Sequence, residues 1–149
     1  PRVRQPANWP VPLGMRFSVD VEASGGLAPD TLKVVAGGPM MGPTVPHLDV
    51  TVVKGTSGIT AMTEAETAHW QEGPCIRCAK CIDNCPLHLS PTKIAHAVKF
   101  RDYDLALQFD MNACCECGCC SYVCPANIPL AQYIRGGKNQ SRINAARKK

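Results

Sequence analysis

Cys114-Cys115-Glu116-Cys117-Gly118-Cys119-Cys120-Ser121-Tyr122-Val123-Cys124-Pro125 is the densest run of thiols in this chain. Cys114, Cys117, Cys120 and Cys124 stand in the spacing C-x2-C-x2-C-x3-C-P. The same spacing occurs earlier, in Cys75, Cys78, Cys81, Cys85 and Pro86, so the segment is duplicated. Thiols three apart let one tightly wound loop present three sulfurs to three irons of a cube, and this is the spacing that ligates a [4Fe–4S] cluster. The fourth iron needs a ligand from elsewhere. In two-cluster ferredoxins it comes from the fourth cysteine of the other run. That rule assigns Cys75, Cys78, Cys81 and Cys124 to one cluster, and Cys114, Cys117, Cys120 and Cys85 to a second. The proline after each fourth cysteine removes a donor and bends the chain away, while Gly118 lets backbone approach sulfur closely.

All ten cysteines lie between Cys75 and Cys124, and residues 1–74 contain none. Bunched thiols without a secretory signal point to metal in a reducing compartment and away from a disulfide framework. Zinc is the rival metal: paired C-x2-C units can be completed by histidine, and His47, His69, His88 and His96 are available. Triple-cysteine runs with a distant fourth cysteine followed by proline suit iron and sulfide better. A Rieske centre needs two histidines in place of two cysteines, and no cysteine is missing here. Cys115 and Cys119 fall outside the register and read as small buried apolar residues near a cluster. His88 reads as a surface imidazole, and Arg77 and Lys80 as solvated basic residues beside the first run.

The segment that joins the two runs carries helical periodicity. Ser90 can cap a helix with Pro91 in its first turn and Ile94, Ala97 and Val98 on one face. Asp102 or Asp104 can start a second helix, and Asn127 with Pro129 a third. The expectation is a helical dicluster domain over 75–136, with a small β-sandwich ferredoxin as the alternative. Residues 137–149 read as a basic tail: Arg135 to Lys149 holds six basic residues and no acidic one. A solvated tail is the first reading, contact with a partner or an anionic surface the second.

Residues 63–74 read as a linker, and residues 1–62 as a small α+β module. Strands are expected at 9–13, 32–36 and 50–53 and a short helix over 17–23, in a mixed sheet. The loop Gly37-Gly38-Pro39-Met40-Met41-Gly42 lacks both G-x-G-x-x-G and the lysine of a P-loop, and Lys54 to Gly58 is no better. The glycines of the 37–42 loop suit a tight turn, and its methionines a hydrophobic gap or a neighbouring domain.

The chain has 149 residues, a net charge of +4, 45% hydrophobic and 19% charged residues. Those values exclude a large multi-domain enzyme and wholesale disorder. No apolar run reaches the roughly 18 residues a membrane span needs. Aromatic content of 5% and the lack of a binding module argue against nucleic acid. The opening Pro1, within what reads as structured sequence, leads us to expect a piece of something longer.

Val11-Pro12-Leu13-Gly14, the Gly-Gly-Pro-Met-Met-Gly loop at 37–42, Val52-Val53-Lys54-Gly55-Thr56, Pro74-Cys75-Ile76-Arg77-Cys78 and the run 116–125 together resemble the C-terminal part of the RnfC (RsxC) family, a component of the Rnf complex. The resemblance covers nearly the whole chain. It implies a soluble-ligand-binding β-grasp module, lacking its first strand, followed by an α-helical-type dicluster ferredoxin domain. It also implies a peripheral subunit on the cytoplasmic side of the bacterial inner membrane, within a translocase that couples electron flow between ferredoxin and NAD to ion movement. FMN and NADH would bind only in the N-terminal part that is missing here, so this piece alone would be an electron carrier without a catalytic acid, base or nucleophile. Expected partners are other Rnf subunits and a ferredoxin-type electron donor or acceptor. A corrinoid (cobalamin) reductase built from the same modules is the nearest competitor.

Overall fold

A computed structural model describes residues 3–67 and 71–147. The chain divides between residues 69 and 70 into two compact units.

In the first unit, helix α1 (Phe17–Ala23) buries Phe17 and Val21, four residues apart and therefore on one face. Ser24 follows it, and Gly25 and Gly26 take positive φ of 81° and 85° that end the helix. Strand β1 (Thr31–Ala36) is central, flanked by β2 (Thr44–Val45) and β3 (Ile59–Thr63) in the order β2-β1-β3. Val34 lies opposite Val45 and Ala61, and Val35 opposite Thr44 and Thr60. Val34, Val35, Val52 and Ala61 join Phe17 and Val21 in the buried set.

Both pairings are antiparallel, so the sheet is not mixed. Residues 9–13 form no strand, because Pro10 and Pro12 have no N–H to give a ladder. Residues 50–53 pair irregularly with the turn before α1, through Gly14 N–H to Val52 O at 2.8 Å and Phe17 N–H to Val50 O at 2.9 Å, and yield only an isolated bridge between Arg16 and Thr51. Strands β2 and β3 both fall outside the segments expected as strands, and β3 is the longer of the two. The signal for β3 is the β-branched Ile59, Thr60 and Thr63 a few residues after the turn at Lys54 and Gly55. Thr63 and Glu66 close the strand with a reciprocal cap, Thr63 N–H donating to Glu66 Oε2 at 3.0 Å.

The β1–β2 loop shows why glycine is needed at its end. A Cβ on Gly42 would lie 2.5 Å from Val35 Cγ1 and 2.7 Å from the Ala36 carbonyl oxygen. Met40 and Met41 are half exposed, so they do not fill a gap in this unit.

The second unit contains no strand among its described residues. Its elements are α2 (Lys80–Asp83), α3 (Pro91–Lys99), α4 (Tyr103–Gln108), a 3-10 turn (Met111–Ala113), α5 (Cys119–Tyr122) and α6 (Leu130–Arg147). Pro91 opens α3, and Ser90 precedes it without a side-chain cap. Asp102 caps α4 by accepting Leu105 N–H at 3.0 Å. Ile94, Ala97, Ala106, Met111 and Ile134 form the central core, all but sealed from water. Helix α6 crosses close to α3 and the 3-10 turn at Gly137, where a Cβ would run into Val98 and lie 2.9 Å from Met111 Sδ. It also runs through Arg147, past the point where the sequence reading begins a basic tail. Lys148 and Lys149 lie outside the described residues.

Candidate iron–sulfur centres

The duplication of sequence is also a duplication of backbone geometry. Arg77 and Glu116, Ala79 and Gly118, and His88 and Asn127 are equivalent pairs, and all six residues have positive φ, between 53° and 84°. Short helices α2 and α5 begin at equivalent residues, as do α3 and α6. The turns match as well. Ile82 N–H reaches Ala79 O at 2.8 Å and Ser121 N–H reaches Gly118 O at 3.0 Å; His88 N–H reaches Cys85 O at 3.0 Å and Asn127 N–H reaches Cys124 O at 3.1 Å. Left-handed residues between the cysteines turn successive N–H groups toward the sulfurs, the concave arrangement that suits an anionic group. One such bond is present, Glu116 N–H to Cys114 Sγ at 3.4 Å.

Cys75, Cys78, Cys81 and Cys124 line one cavity of about 780 Å³. Three thiols thus come from the first run and the fourth from the second. The volume lies within the ~300–1,000 Å³ range of small-cofactor sites. Cys75 and Cys78 are exposed and Cys81 is buried. Burial pushes the Cys81 thiol up, hydrogen bonds from Thr92 pull it back, and the neighbouring Cys124 adds to the rise. At the rim, Glu72 accepts Tyr133 O–H at 2.7 Å and Lys99 Nζ at 2.9 Å. Those two bonds hold the Glu72 carboxyl below its ordinary value.

In the second run Cys120 is buried and Cys114 and Cys117 are half-buried. Burial pushes the Cys120 thiol up to about 11, with the charges of Cys114 and Cys117 acting in the same direction. Burial raises Cys114 too, opposed by the Glu116 N–H and by the charge of Lys138. Cys85 closes the first run, half-buried, at the position equivalent to Cys124.

A group of residues that spacing did not reveal surrounds the second loop. Lys138 is buried, and its Nζ donates to the Cys114 carbonyl at 2.5 Å and to Glu116 Oε1 at 3.1 Å. Arg135 Nε donates to Glu116 Oε2 at 2.8 Å. Burial alone would raise the Glu116 carboxyl; the bonds from Arg135 and Lys138 outweigh it, and the net shift is downward.

Cys115 is exposed and Cys119 half-buried, so neither is the buried apolar residue expected from the sequence. A loop whose i, i+3 and i+6 positions share one side leaves the intervening residues on the other. His47, His88 and His96 are exposed, and His69 lies outside the described residues. Arg77 and Lys80 are exposed.

Among the described residues no three His, Cys, Asp or Glu side chains converge on a point that would hold a single metal ion. A zinc site asks for such convergence, with four ligands about one centre. A cubane spreads its four thiolates over four separate irons, and thiols distributed round a cavity fit that group.

Comparison with known proteins agrees with this chemistry. Residues 74–129 match the family model of a 4Fe-4S dicluster domain, and residues 1–44 match that of an SLBB domain. The chain is 39% identical over 146 residues to the C subunit of the ion-translocating oxidoreductase complex of Rhodobacter capsulatus, covering 98% of this chain and 28% of that protein. It is 35% identical over 148 residues to the C subunit of the proton-translocating ferredoxin:NAD(+) oxidoreductase complex of Clostridium ljungdahlii, covering 99% of this chain and 32% of that one. A 93-residue match at 38% identity joins it to the Na(+)-translocating counterpart from Acetobacterium woodii, covering 62% of this chain and 21% of the relative. The chain therefore spans about a third or less of the length of these relatives. Over the stretch it covers, with its duplicated cysteine loops and dicluster domain, the chain belongs to the RnfC family, the C subunits of ion-translocating oxidoreductase complexes.

Proposed function

We propose that the chain holds two [4Fe–4S] clusters and relays single electrons between them, as the iron–sulfur part of an RnfC protein in a ferredoxin:NAD oxidoreductase complex. Cys75, Cys78, Cys81 and Cys124 are the ligands of the first cluster, and Cys114, Cys117, Cys120 and Cys85 those of the second. The cavity bounded by thiols from both halves of the repeat carries this reading. Cys85 is assigned through the same pseudo-symmetry: if Cys124 closes the first site, its equivalent closes the second.

A [4Fe–4S] cluster supplies one-electron exchange when bound. The residues of this chain supply the rest. Their thiolates fix position, loop N–H groups face the sulfurs, and Ile128, Leu130 and Ala131 exclude water beside Cys81 and Cys120. The reaction of the whole complex belongs to the longer protein, with FMN and NADH held outside this stretch. Other subunits of the complex and a ferredoxin-type protein are the partners, and attachment to the cytoplasmic side of the bacterial membrane is through those subunits. Among the described residues no helix is long and apolar enough to cross a membrane. The SLBB match, one helix and the antiparallel sheet support the first unit, whose strand β3 runs to Thr63, as a soluble-ligand-binding β-grasp module preceding the dicluster domain.

Anaerobic loading with iron and sulfide tests the proposal. The expected product is brown and holds about eight irons per chain, two cubanes' worth. A colourless chain that takes up zinc in preference to iron overturns it.

A further inference from the structure

Equivalent helices of the two halves carry a lysine at the same point, Lys99 on α3 and Lys138 on α6. Their surroundings differ. The Lys99 side chain is 54% exposed and meets Glu72 outside the cysteine loop. The Lys138 side chain is 8% exposed and meets the loop itself, at the Cys114 carbonyl and the Glu116 carboxylate. Glu116 lies between two cysteines in the left-handed region, with φ of 58°, and aims its N–H at Cys114 Sγ. In the first half the position of Glu116 is taken by Arg77 and that of Arg135 by His96, so no carboxylate stands there for a helix cation to grip.

Lys138 sets a positive charge against the second loop, and that cation is withdrawn from solvent. A charge removed from water is screened little by salt, and local charge is one of the determinants of an iron–sulfur potential. Exposure is another: the half-buried Cys114 and Cys117, against the exposed Cys75 and Cys78, act to lower the second potential.

We propose that Lys138 is a positioning residue for the second cluster: it anchors the 114–117 loop and raises that cluster's reduction potential against the lowering imposed by burial. This rests on the two-cluster reading above. The couple transfers one electron from the reductant, and no bond is made or broken.

The test is a mediated reductive titration followed by electron paramagnetic resonance, on the full chain loaded anaerobically with iron and sulfide. Lys138→Met is expected to move one of the two midpoints to more negative potential and leave the other in place. Lys138→Arg, which keeps the charge, is expected to hold both midpoints close to the parent values. Glu116→Gln removes the opposing charge and is expected to move the same midpoint the other way, so it decides the matter if Lys138→Met fails to load its second site. Midpoints unmoved in both neutralising variants, or moved in the same direction by both, overturn the proposal. A parent chain that never shows two cluster signals overturns the two-cluster reading instead, and the two failures are distinguished by iron content before any variant is made.

Discussion

Glu116 is drawn in two directions, toward neutrality by burial and toward ionisation by Arg135 and Lys138, and the second wins. Its carboxyl titrates lower in the folded chain than in the unfolded one. The stability it contributes is therefore complete above the ordinary value of 4.5 and is lost as pH falls through the lowered folded value. The melting temperature of Glu116→Gln should lie below that of the parent at pH 7, and the gap should narrow as pH drops below about 4.5; a constant gap would deny the ion pairs their part. The ligand assignment is separable at the same scale. Cys124→Ala should lower iron content from about eight to about four and remove the same resonance signal as Cys75→Ala, whereas Cys114→Ala should remove the other. Cys119→Ala should leave the iron count unchanged. The eight candidate ligands were legible because spacing along the chain is itself the signal for a cubane loop. The pairing of Lys138 with Cys114 and Glu116 was not, because it links positions distant in sequence and depends on where α6 crosses the loop.

Helices were easier to anticipate than strands, and the reasons are local. Pro91 at the start of α3, Asp102 at the cap of α4 and Pro129 just before α6 are all punctuation that acts within one turn. Strand β3 depends instead on pairing with β1 across the whole β2 excursion. The β-branched segment 50–53 carries a strand's composition without finding a regular partner. Gly137 tests how tightly the helices are set: Gly137→Val forces a side chain into Val98 and Met111 and should cost about 2 kcal/mol in a denaturant melt. The two halves make a matched pair at the left-handed position, where Ala79 stands opposite Gly118. Gly118→Ala should destabilise by about 1 kcal/mol and Ala79→Gly should stabilise by a similar or smaller amount, since a Cβ is the difference in both.

The uneven distribution of cysteine along the chain predicts two different responses to loss of metal. The first unit has its own core and no thiol, whereas α2 and α5 are four-residue helices embedded in the cysteine runs. Stripping iron with a chelator should abolish hydrogen-exchange protection in α2 and α5 while the amides of Val34 and Val35 keep theirs; equal loss in both units would refute that independence. Such a partition was visible in composition alone, because an abrupt change from no cysteine to ten marks where one kind of stabilisation ends. What composition concealed is the reach of α6. That helix gives Tyr133 to the wall of the first cavity and, further along, Lys138 to the loop of the second run. One continuous helix therefore touches the surroundings of both proposed centres, so the spacing an electron would cross is tied to how straight α6 runs through Gly136 and Gly137.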